Sequence, residues 1–353
     1  MRAAEVESHG RIIASQFRPH PLLVGAHVQT IVPALLRPPP RLRLQIERLE
    51  LPDGDFVDLG WAGSREPGTP IAVLVHGLGG GFDSKYIRGL GARLLSAGWR
   101  VCALQLRGAG AEPNRLARAY HQGDTADLRF LWQRLRFREP RSFLASVGWS
   151  LGGNLTLKAL AEEGPGAAPD LACAVSVPFR LRECAEHLRH GMARIYQTRL
   201  LDSLKDMVRR KHAERPLRAP ADLRQALKAQ DFFEFDDAFT APVNGFRDAE
   251  EYYSLASCGQ YLRLIRRPTL ILNSLDDPFM PASILPDASG LSSSVTLELA
   301  TRGGHVGFIA ATSHGLPYCW SEERLCQHLV DAHQTRRREV PVRLEPESYS
   351  AAG

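Results

Sequence analysis

The sequence predicts an α/β fold with a mostly parallel sheet and helices on both faces. Short, continuous apolar runs such as 71–75 and 171–177 are typical of strands buried on both faces. These runs alternate with segments of helical periodicity, which indicates parallel βαβ units. A chain of 353 residues is long enough for one large domain of this kind with an insertion, or for two domains.

The order of the elements can be followed along the chain. Residues 1–40 lack regular periodicity but are partly apolar, so we expect an arm packed on the core. Alternation from 42 to 51, followed by a turn signal and a second run at 56–61, predicts an antiparallel hairpin. Helices separate the strands expected after the hairpin, and a closing helix is expected over 321–333; those strands are 71–75, 99–104, 142–147, 171–177, 269–273 and 295–299.

Two regions depart from this alternation. Residues 178–262 show helical periodicity without a buried strand, which predicts a helical cap inserted into a domain spanning 41–335. Residues 336–353 begin with three arginines and are otherwise polar, so we expect a solvated tail.

Composition excludes several classes of function. The chain is 44% hydrophobic and 24% charged, as in ordinary globular proteins, and its net charge of +5 is too small to indicate nucleic-acid binding. The six cysteines form no C-x-x-C pair or zinc-type spacing, so no metal site is predicted. The first residues do not resemble a signal peptide, and no apolar run reaches about 18 residues. We therefore expect a cytoplasmic protein without a transmembrane segment.

The most informative motif is the G-x-S-x-G sequence at 148–152, with Ser150 at its centre. An apolar strand precedes it and a helix-forming segment follows it, which is the setting of a nucleophile elbow. Glycines two residues either side of the serine leave room for strand and helix to pack closely. A glycine-rich turn without catalytic meaning is the alternative.

A second motif follows the strand at 71–75 and reads His76-Gly77-Leu78-Gly79-Gly80-Gly81. Such a turn can direct a backbone N–H into the site, and we expect Leu78 and Leu151 to supply the two N–H groups of an oxyanion hole. His76, Gly77 and Trp149 are expected as neighbours of the site. The alternative is a phosphate-binding glycine loop, although no dinucleotide or P-loop signature is present.

Two aspartates, Asp276 and Asp277, follow the strand at 269–273. An acid at this strand end can orient a histidine and stabilise its imidazolium form. We favour Asp277, because it directly precedes Pro278 in the turn, and we expect Asp276 to be a site neighbour that caps or stiffens the turn. Both could instead be ordinary turn residues.

The glycine-flanked His305 follows the last strand and is the candidate base. Three other histidines are candidates. His76 lies beside the turn expected to form the oxyanion hole, His121 precedes a helix, and His314 is expected on the surface. The chain order Ser150, Asp277, His305 is the order expected for a catalytic triad on an α/β-hydrolase fold.

The motifs together resemble the YheT family of α/β-hydrolases, the bacterial branch of the ABHD1/ABHD3-type hydrolases, over roughly residues 17–333. This resemblance implies a serine hydrolase that acts on carboxylic esters, needs no cofactor and uses Ser150, Asp277 and His305 as its triad. The segments that carry it are 27–30, 49–56, 76–80, 107–108, 112–115, 120–121, 148–153, 276–280 and 303–308.

The sequence therefore predicts a hydrolase of small-molecule esters with short to medium acyl chains or lipid-like character, acting through an acyl-enzyme. An acyltransferase or thioesterase on the same triad is the alternative enzyme, and a non-enzymatic interaction module is the alternative of another class. Contact with lipid surfaces and the oligomeric state stay open. Five aromatic residues of the cap could line an acyl pocket, but packing within the cap is the favoured interpretation; they are Phe232, Phe233, Phe235, Tyr252 and Tyr253.

Overall fold

The computed structural model describes residues 9–38, 40–216 and 220–339. Its strands are β1 (Arg11–Ala14), β2 (Gln45–Glu50), β3 (Phe56–Ala62), β4 (Ile71–Val75), β5 (Arg100–Gln105), β6 (Leu144–Trp149), β7 (Leu171–Val175), β8 (Thr269–Ser274), β9 (Val295–Ala300), β10 (Ile309–Ala311) and β11 (Pro317–Cys319). Its α-helices are α1 (Ala26–Leu35), α2 (Lys85–Ser96), α3 (Ala126–Arg138), α4 (Leu151–Glu163), α5 (Leu181–Leu188), α6 (Ala193–Glu214), α7 (Leu223–Lys228), α8 (Phe232–Phe235), α9 (Ala241–Val243), α10 (Ala249–Ala256) and α11 (Trp320–Glu339).

One mixed sheet forms the centre of the molecule. Nine strands of the described chain pair in the order β1-β9-β8-β7-β6-β4-β5-β3-β2. The pairs β2–β3 and β3–β5 are antiparallel, and the other pairs are parallel. Every residue of β4, β6, β7 and β8 is buried, because helices cover both faces of the sheet. The predicted α/β class, parallel sheet and N-terminal hairpin are confirmed.

The arm before the hairpin has more structure than its sequence indicates. Strand β1 extends the sheet by pairing in parallel with β9, and helix α1 follows it. The four residues of β1 lie at the sheet edge and are all at least partly exposed, so they show no buried alternation. Helix α1 contains Pro33 and buries the polar Gln29 and Thr30, while Val28, Ile31 and Leu35 are exposed, so periodicity does not reveal it.

The segment between β7 and β8 contains helices α5 to α10 and no strand among its described residues. The helical pattern expected from 183 to 210 is divided in two, because Gly191 adopts a positive φ of 54° between α5 and α6. Residues 236–240 form a π-helical turn between α8 and α9. We refer to α5 to α10 as the cap helices.

The C-terminal boundary expected at residue 336 differs from the structure. Helix α11 continues to Glu339, so Arg336, Arg337 and Arg338 belong to its last turn. Arginine is a good helix former, and cations at a helix C-terminus interact favourably with the helix dipole. Arg336 also pairs with Asp170 at 2.8 Å. The rest of the expected tail, 340–353, lies outside the described residues.

Among the residues that the structure describes, no helix is long and apolar enough to span a bilayer.

Candidate active site

Ser150 stands at the sharp turn between β6 and α4. Its φ of 52° is unusual for a residue with a side chain and marks local backbone strain. A Cβ at Gly148 would lie 2.1 Å from the Gly152 carbonyl oxygen, and a Cβ at Gly152 would lie 2.3 Å from the Val75 carbonyl oxygen. Both glycines are therefore required by close backbone packing around the serine.

The three residues expected to form a triad meet at the carboxyl edge of the sheet. His305 Nε2 lies 3.0 Å from Ser150 Oγ, and His305 Nδ1 lies 2.8 Å from Asp277 Oδ2. Asp277 and His305 are both buried. The Phe279 N–H donates to the other Asp277 oxygen at 2.8 Å, which fixes the carboxylate in its turn. The arrangement can move a proton from the serine hydroxyl to the imidazole.

The neighbouring Asp276 does not contact the imidazole. Its Oδ1 accepts a hydrogen bond of 3.0 Å from the Gly304 N–H, so it braces the loop that carries His305. The structure therefore gives the two aspartates different contacts, with Asp277 on the ring and Asp276 on the backbone.

Helix α1 holds the same loop from the other side. Thr30 Oγ1 accepts a 2.9 Å hydrogen bond from the His305 N–H, and the Ile309 N–H donates to Gln29 Oε1 at 2.7 Å. A Cβ at Gly307 would lie 2.0 Å from the Gln29 carbonyl oxygen, so only glycine allows this approach. Periodicity did not identify Thr30 and Gln29 as site supports, although both belong to the 27–30 segment that carries the family resemblance.

The ring of Phe279 lies flat against the His305 imidazole, with 3.9 Å between centroids and 5° between planes. Phe279 also contacts Tyr196 of α6, with 4.8 Å between the two ring centroids. The histidine is thus packed against a cap helix through one intervening ring. Nothing in the local sequence pattern identifies this contact, because the orientation of a loop side chain depends on tertiary packing.

Hydrogen bonds in the 77–81 turn leave one N–H available. The Gly77 N–H donates to Tyr86 Oη, the Gly79 N–H to Tyr120 Oη, the Gly80 N–H to the Gly77 carbonyl and the Gly81 N–H to Ser84 Oγ. Within the described ranges, no acceptor takes the Leu78 N–H. Leu151 begins α4, so its N–H has no partner inside the helix. Leu78, Leu151 and Ser150 line one cavity.

His76 supports this turn from beneath. Its Nδ1 lies 2.7 Å from the Gly77 carbonyl oxygen, and its Nε2 accepts from the Leu106 N–H at 3.1 Å. Burial lowers the pKa of His76 to about 4, so the ring is neutral at pH 7. Since the carbonyl and N–H of one peptide point in opposite directions, holding the Gly77 carbonyl directs the Leu78 N–H towards the opposite side. Trp149 is buried and packs on Tyr86 at 5.0 Å.

Neither of the other two candidate histidines, His121 and His314, hydrogen-bonds to Ser150 in the described structure. His121 is buried, its Nδ1 accepts from the Gly123 N–H at 3.1 Å, and burial lowers its pKa to about 3. His121 lines the cavity without contacting the triad, whereas His314 is exposed.

The cavity beside Ser150 has a volume of about 490 Å³ and extends beneath the cap helices. Phe232, Tyr252 and Tyr253 line it, while Phe235 is buried in the cap core. Asp236 also faces the cavity, accepts a 2.8 Å hydrogen bond from Tyr253 Oη, and has a pKa raised to about 7 by burial. The cap aromatics thus divide between cavity lining and packing.

A buried polar network joins the cap to the core. Asp55 is fully buried and accepts hydrogen bonds from Arg107 Nη1 (2.9 Å), Asn114 Nδ2 (2.6 Å) and the Arg115 N–H (2.7 Å). Lys211 of α6 donates to Asn114 Oδ1 at 2.5 Å, and burial lowers the pKa of its ammonium to about 7. Several residues of the family-like motifs therefore have structural contacts rather than contacts with Ser150.

This chain is similar in sequence to known α/β-hydrolases. The alpha/beta hydrolase fold family matches residues 70–312. YheT of Escherichia coli (strain K12) is 39% identical over 88% of this chain and 92% of its own length. Phospholipase ABHD3 of Mus musculus is 26% identical over 86% of this chain and 76% of its own length.

Solved structures show the same fold at low sequence identity. The Pyrococcus furiosus esterase Pf2001 is similar with a TM-score of 0.52 and 15% identity, covering 85% of this chain and 97% of that one. The sheet order, the elbow and the extent of both sequence matches lead to one conclusion: the chain belongs to the α/β-hydrolase fold family and, within it, to the group of YheT.

Proposed function

We propose that this protein is a serine hydrolase that cleaves carboxylic esters through an acyl-enzyme intermediate. The observation that carries the proposal is the continuous chain of contacts from Ser150 through His305 to Asp277, with distances of 3.0 and 2.8 Å. The names of two relatives also indicate ester hydrolysis, since YheT is provisionally named an esterase and ABHD3 is named a phospholipase.

The chemistry follows the order of these contacts. His305 Nε2 takes the proton from Ser150 as Oγ attacks the ester carbonyl carbon, and Asp277 stabilises the resulting imidazolium. The tetrahedral intermediate then releases the alcohol, which leaves with the proton from His305. Water attacks the acyl-enzyme, His305 accepts a proton from that water, and Ser150 recovers it as the carboxylic acid leaves.

The oxyanion of each intermediate needs two preorganised donors. In this proposal they are the N–H groups of Leu78 and Leu151, because hydrogen bonds already occupy the other N–H groups of the 77–81 turn. The carbonyl of Gly77 is held by His76 and by the Gly80 N–H, which keeps the Leu78 peptide in one orientation. Removing one such donor typically reduces turnover about 10²–10³-fold.

The cavity suits an acyl chain of short to medium length or a lipid-like ester. Its volume of about 490 Å³ is in the range of ordinary small-molecule sites, and apolar residues of the cap helices, such as Leu181 and Leu188, line it. We propose that residues 178–262 act as a cap over a hydrolase domain spanning 41–335, and that residues 1–40 act as an arm that supports the His305 loop.

A panel of p-nitrophenyl esters of increasing acyl length tests the proposal. The native protein should hydrolyse at least one of these esters, and the Ser150→Ala protein should hydrolyse none above background. Ser146→Ala is a matched control, because Ser146 is a buried serine of β6 whose hydroxyl has no partner in the described structure. Ser146→Ala should retain turnover. Equal rates for the native and Ser150→Ala proteins would refute the proposal.

A further inference from the structure

An amphipathic helix normally buries its apolar side chains and exposes its polar ones, and helix α1 largely does the opposite. Its polar residues Gln29 and Thr30 are 0% and 7% exposed, whereas Val28, Ile31 and Leu35 are 38%, 36% and 51% exposed. The exposed residues recur at intervals of three and four, so they form one apolar stripe on the solvent side of the helix. Hydrogen bonds to the His305 loop explain the buried polar face, but nothing in the described structure covers the apolar stripe.

The start of α6 extends this apolar surface. His27 Nδ1 lies 2.8 Å from Tyr196 Oη, which places the first turns of α1 and α6 side by side. Met192, the residue just before α6, and Ile195, in its first turn, are 55% and 64% exposed. We call these exposed apolar residues the mouth patch; its members are Val28, Ile31, Leu35, Met192 and Ile195.

The mouth patch leads directly into the proposed catalytic cavity. Ile31 and Leu35 line the same cavity as Ser150 and His305. Contiguous exposed apolar surface on a globular protein commonly marks an interaction site. Here two of the five patch residues line the cavity that contains the proposed nucleophile.

Cations without acidic partners accompany the patch. Lys85 and Arg199 line the cavity, and Arg194 lies in the first turn of α6 beside Ile195. Within residues 9–38, 40–216 and 220–339, no carboxylate lies within ion-pair distance of any of these three side chains.

The acidic residues of the same cavity are either paired with an arginine or buried. Asp83 pairs with Arg88 at 3.3 Å, and Glu322 pairs with Arg37. Asp236 is buried beneath the cap, and burial raises its pKa to about 7. The entrance therefore carries net positive charge around an apolar surface, which is the combination that anionic bilayers attract.

We propose that the mouth patch docks on the surface of an anionic phospholipid bilayer, with Lys85, Arg194 and Arg199 at the level of the head groups. A second copy of the chain fits less well, because a twofold contact through the same patch would bring like cations together. This inference deepens the proposed ester hydrolysis, since substrate would enter the cavity from the membrane, and only that consequence rests on the proposed function.

Vesicle flotation with Ser150→Ala protein tests docking without turnover. Vesicles containing phosphatidylglycerol should carry the protein upward, and vesicles of phosphatidylcholine alone should carry much less. Combined Val28→Ser, Met192→Ser and Ile195→Ser should reduce binding at least tenfold, because three apolar side chains no longer enter the interface. Phe137→Ser is the matched control: Phe137 is 88% exposed on α3, outside the patch, and its replacement should leave binding unchanged.

Charge and self-association are tested separately. Arg194→Ser and Arg199→Ser should each weaken binding to anionic vesicles about fivefold, with the effect disappearing at high salt. The proposal would be overturned if protein with the native patch did not bind anionic vesicles. It would also be overturned if Phe137→Ser reduced vesicle binding as much as the triple serine variant does. A dimer in light scattering that the triple serine variant converts to monomer would likewise overturn it.

The two proposals remain separable in these experiments. Binding is measured on protein that lacks the serine, so an inactive native enzyme would not alter the flotation result. The triple serine variant should still hydrolyse soluble p-nitrophenyl esters at the native rate, because none of its three positions lines the cavity.

Discussion

The hydroxyl of Thr30 offers a sharp test of how the arm supports the site. Thr30 is 7% exposed, its Oγ1 accepts a 2.9 Å hydrogen bond from the His305 N–H, and it donates to the Ala26 carbonyl at 2.7 Å. Thr30→Val keeps the volume but leaves the buried His305 N–H without a partner. Such an unsatisfied donor typically costs about 1–3 kcal/mol, so the free energy of unfolding should fall by that amount.

The same change should also reduce catalysis. Relaxation of the 303–308 loop would move the imidazole relative to Ser150, and a shift of about 1 Å can reduce turnover about 10²-fold. Urea denaturation and kcat/KM on a soluble ester measure the two effects, with Thr30→Ser as a control that retains the hydroxyl. Native stability and native kcat/KM in Thr30→Val would show that the arm does not position His305. Equal losses in Thr30→Val and Thr30→Ser would show that the hydroxyl is not responsible.

Two further predictions concern charge inside and outside the core. Asp55→Ala should destabilise the fold by about 2–4 kcal/mol, because the N–H groups of Arg115 and Leu116 lose their acceptor at about 1–3 kcal/mol each, while Arg107 keeps its pair with Asp127. Asp58→Ala removes only a surface pair with Arg48 and should cost at most about 1 kcal/mol. Equal changes in urea denaturation would contradict this. Burial lowers the pKa of His76 from 6.5 to about 4, so the unfolded chain binds more protons between those values and stability should fall as pH falls through that window. By pH 5 this loss is about 2 kcal/mol, and His76→Gln should show a correspondingly shallower acid slope; an unchanged slope would be evidence against it.

Local patterns predicted those parts of the fold that depend on local chemistry. The buried runs predicted the parallel strands, because a strand covered on both faces needs apolar residues at every position. The sharp turn at Ser150 could be predicted from the sequence, because close backbone packing allows only glycine at positions 148 and 152. The structure also brings Ser150, Asp277 and His305 together, while their catalytic roles remain a prediction.

The features that escaped prediction depend on tertiary contacts. Helix α1 was not predicted, because its polar face is buried against the His305 loop and its apolar face is exposed. The stacking of Phe279 on the imidazole follows from packing between a loop and a cap helix. The end of α11 was placed too early, because a run of arginines is typical of solvated tails as well as of helix C-termini.

Covalent labelling tests whether Ser150 is an activated nucleophile. A fluorophosphonate should phosphonylate Ser150 in the native protein, and peptide mass spectrometry should find the added mass on the peptide that contains this residue. Ser150→Ala protein should stay unlabelled under the same conditions. A native protein that takes up no label, or a Ser150→Ala protein labelled to the same extent, would show that Ser150 is not an activated nucleophile.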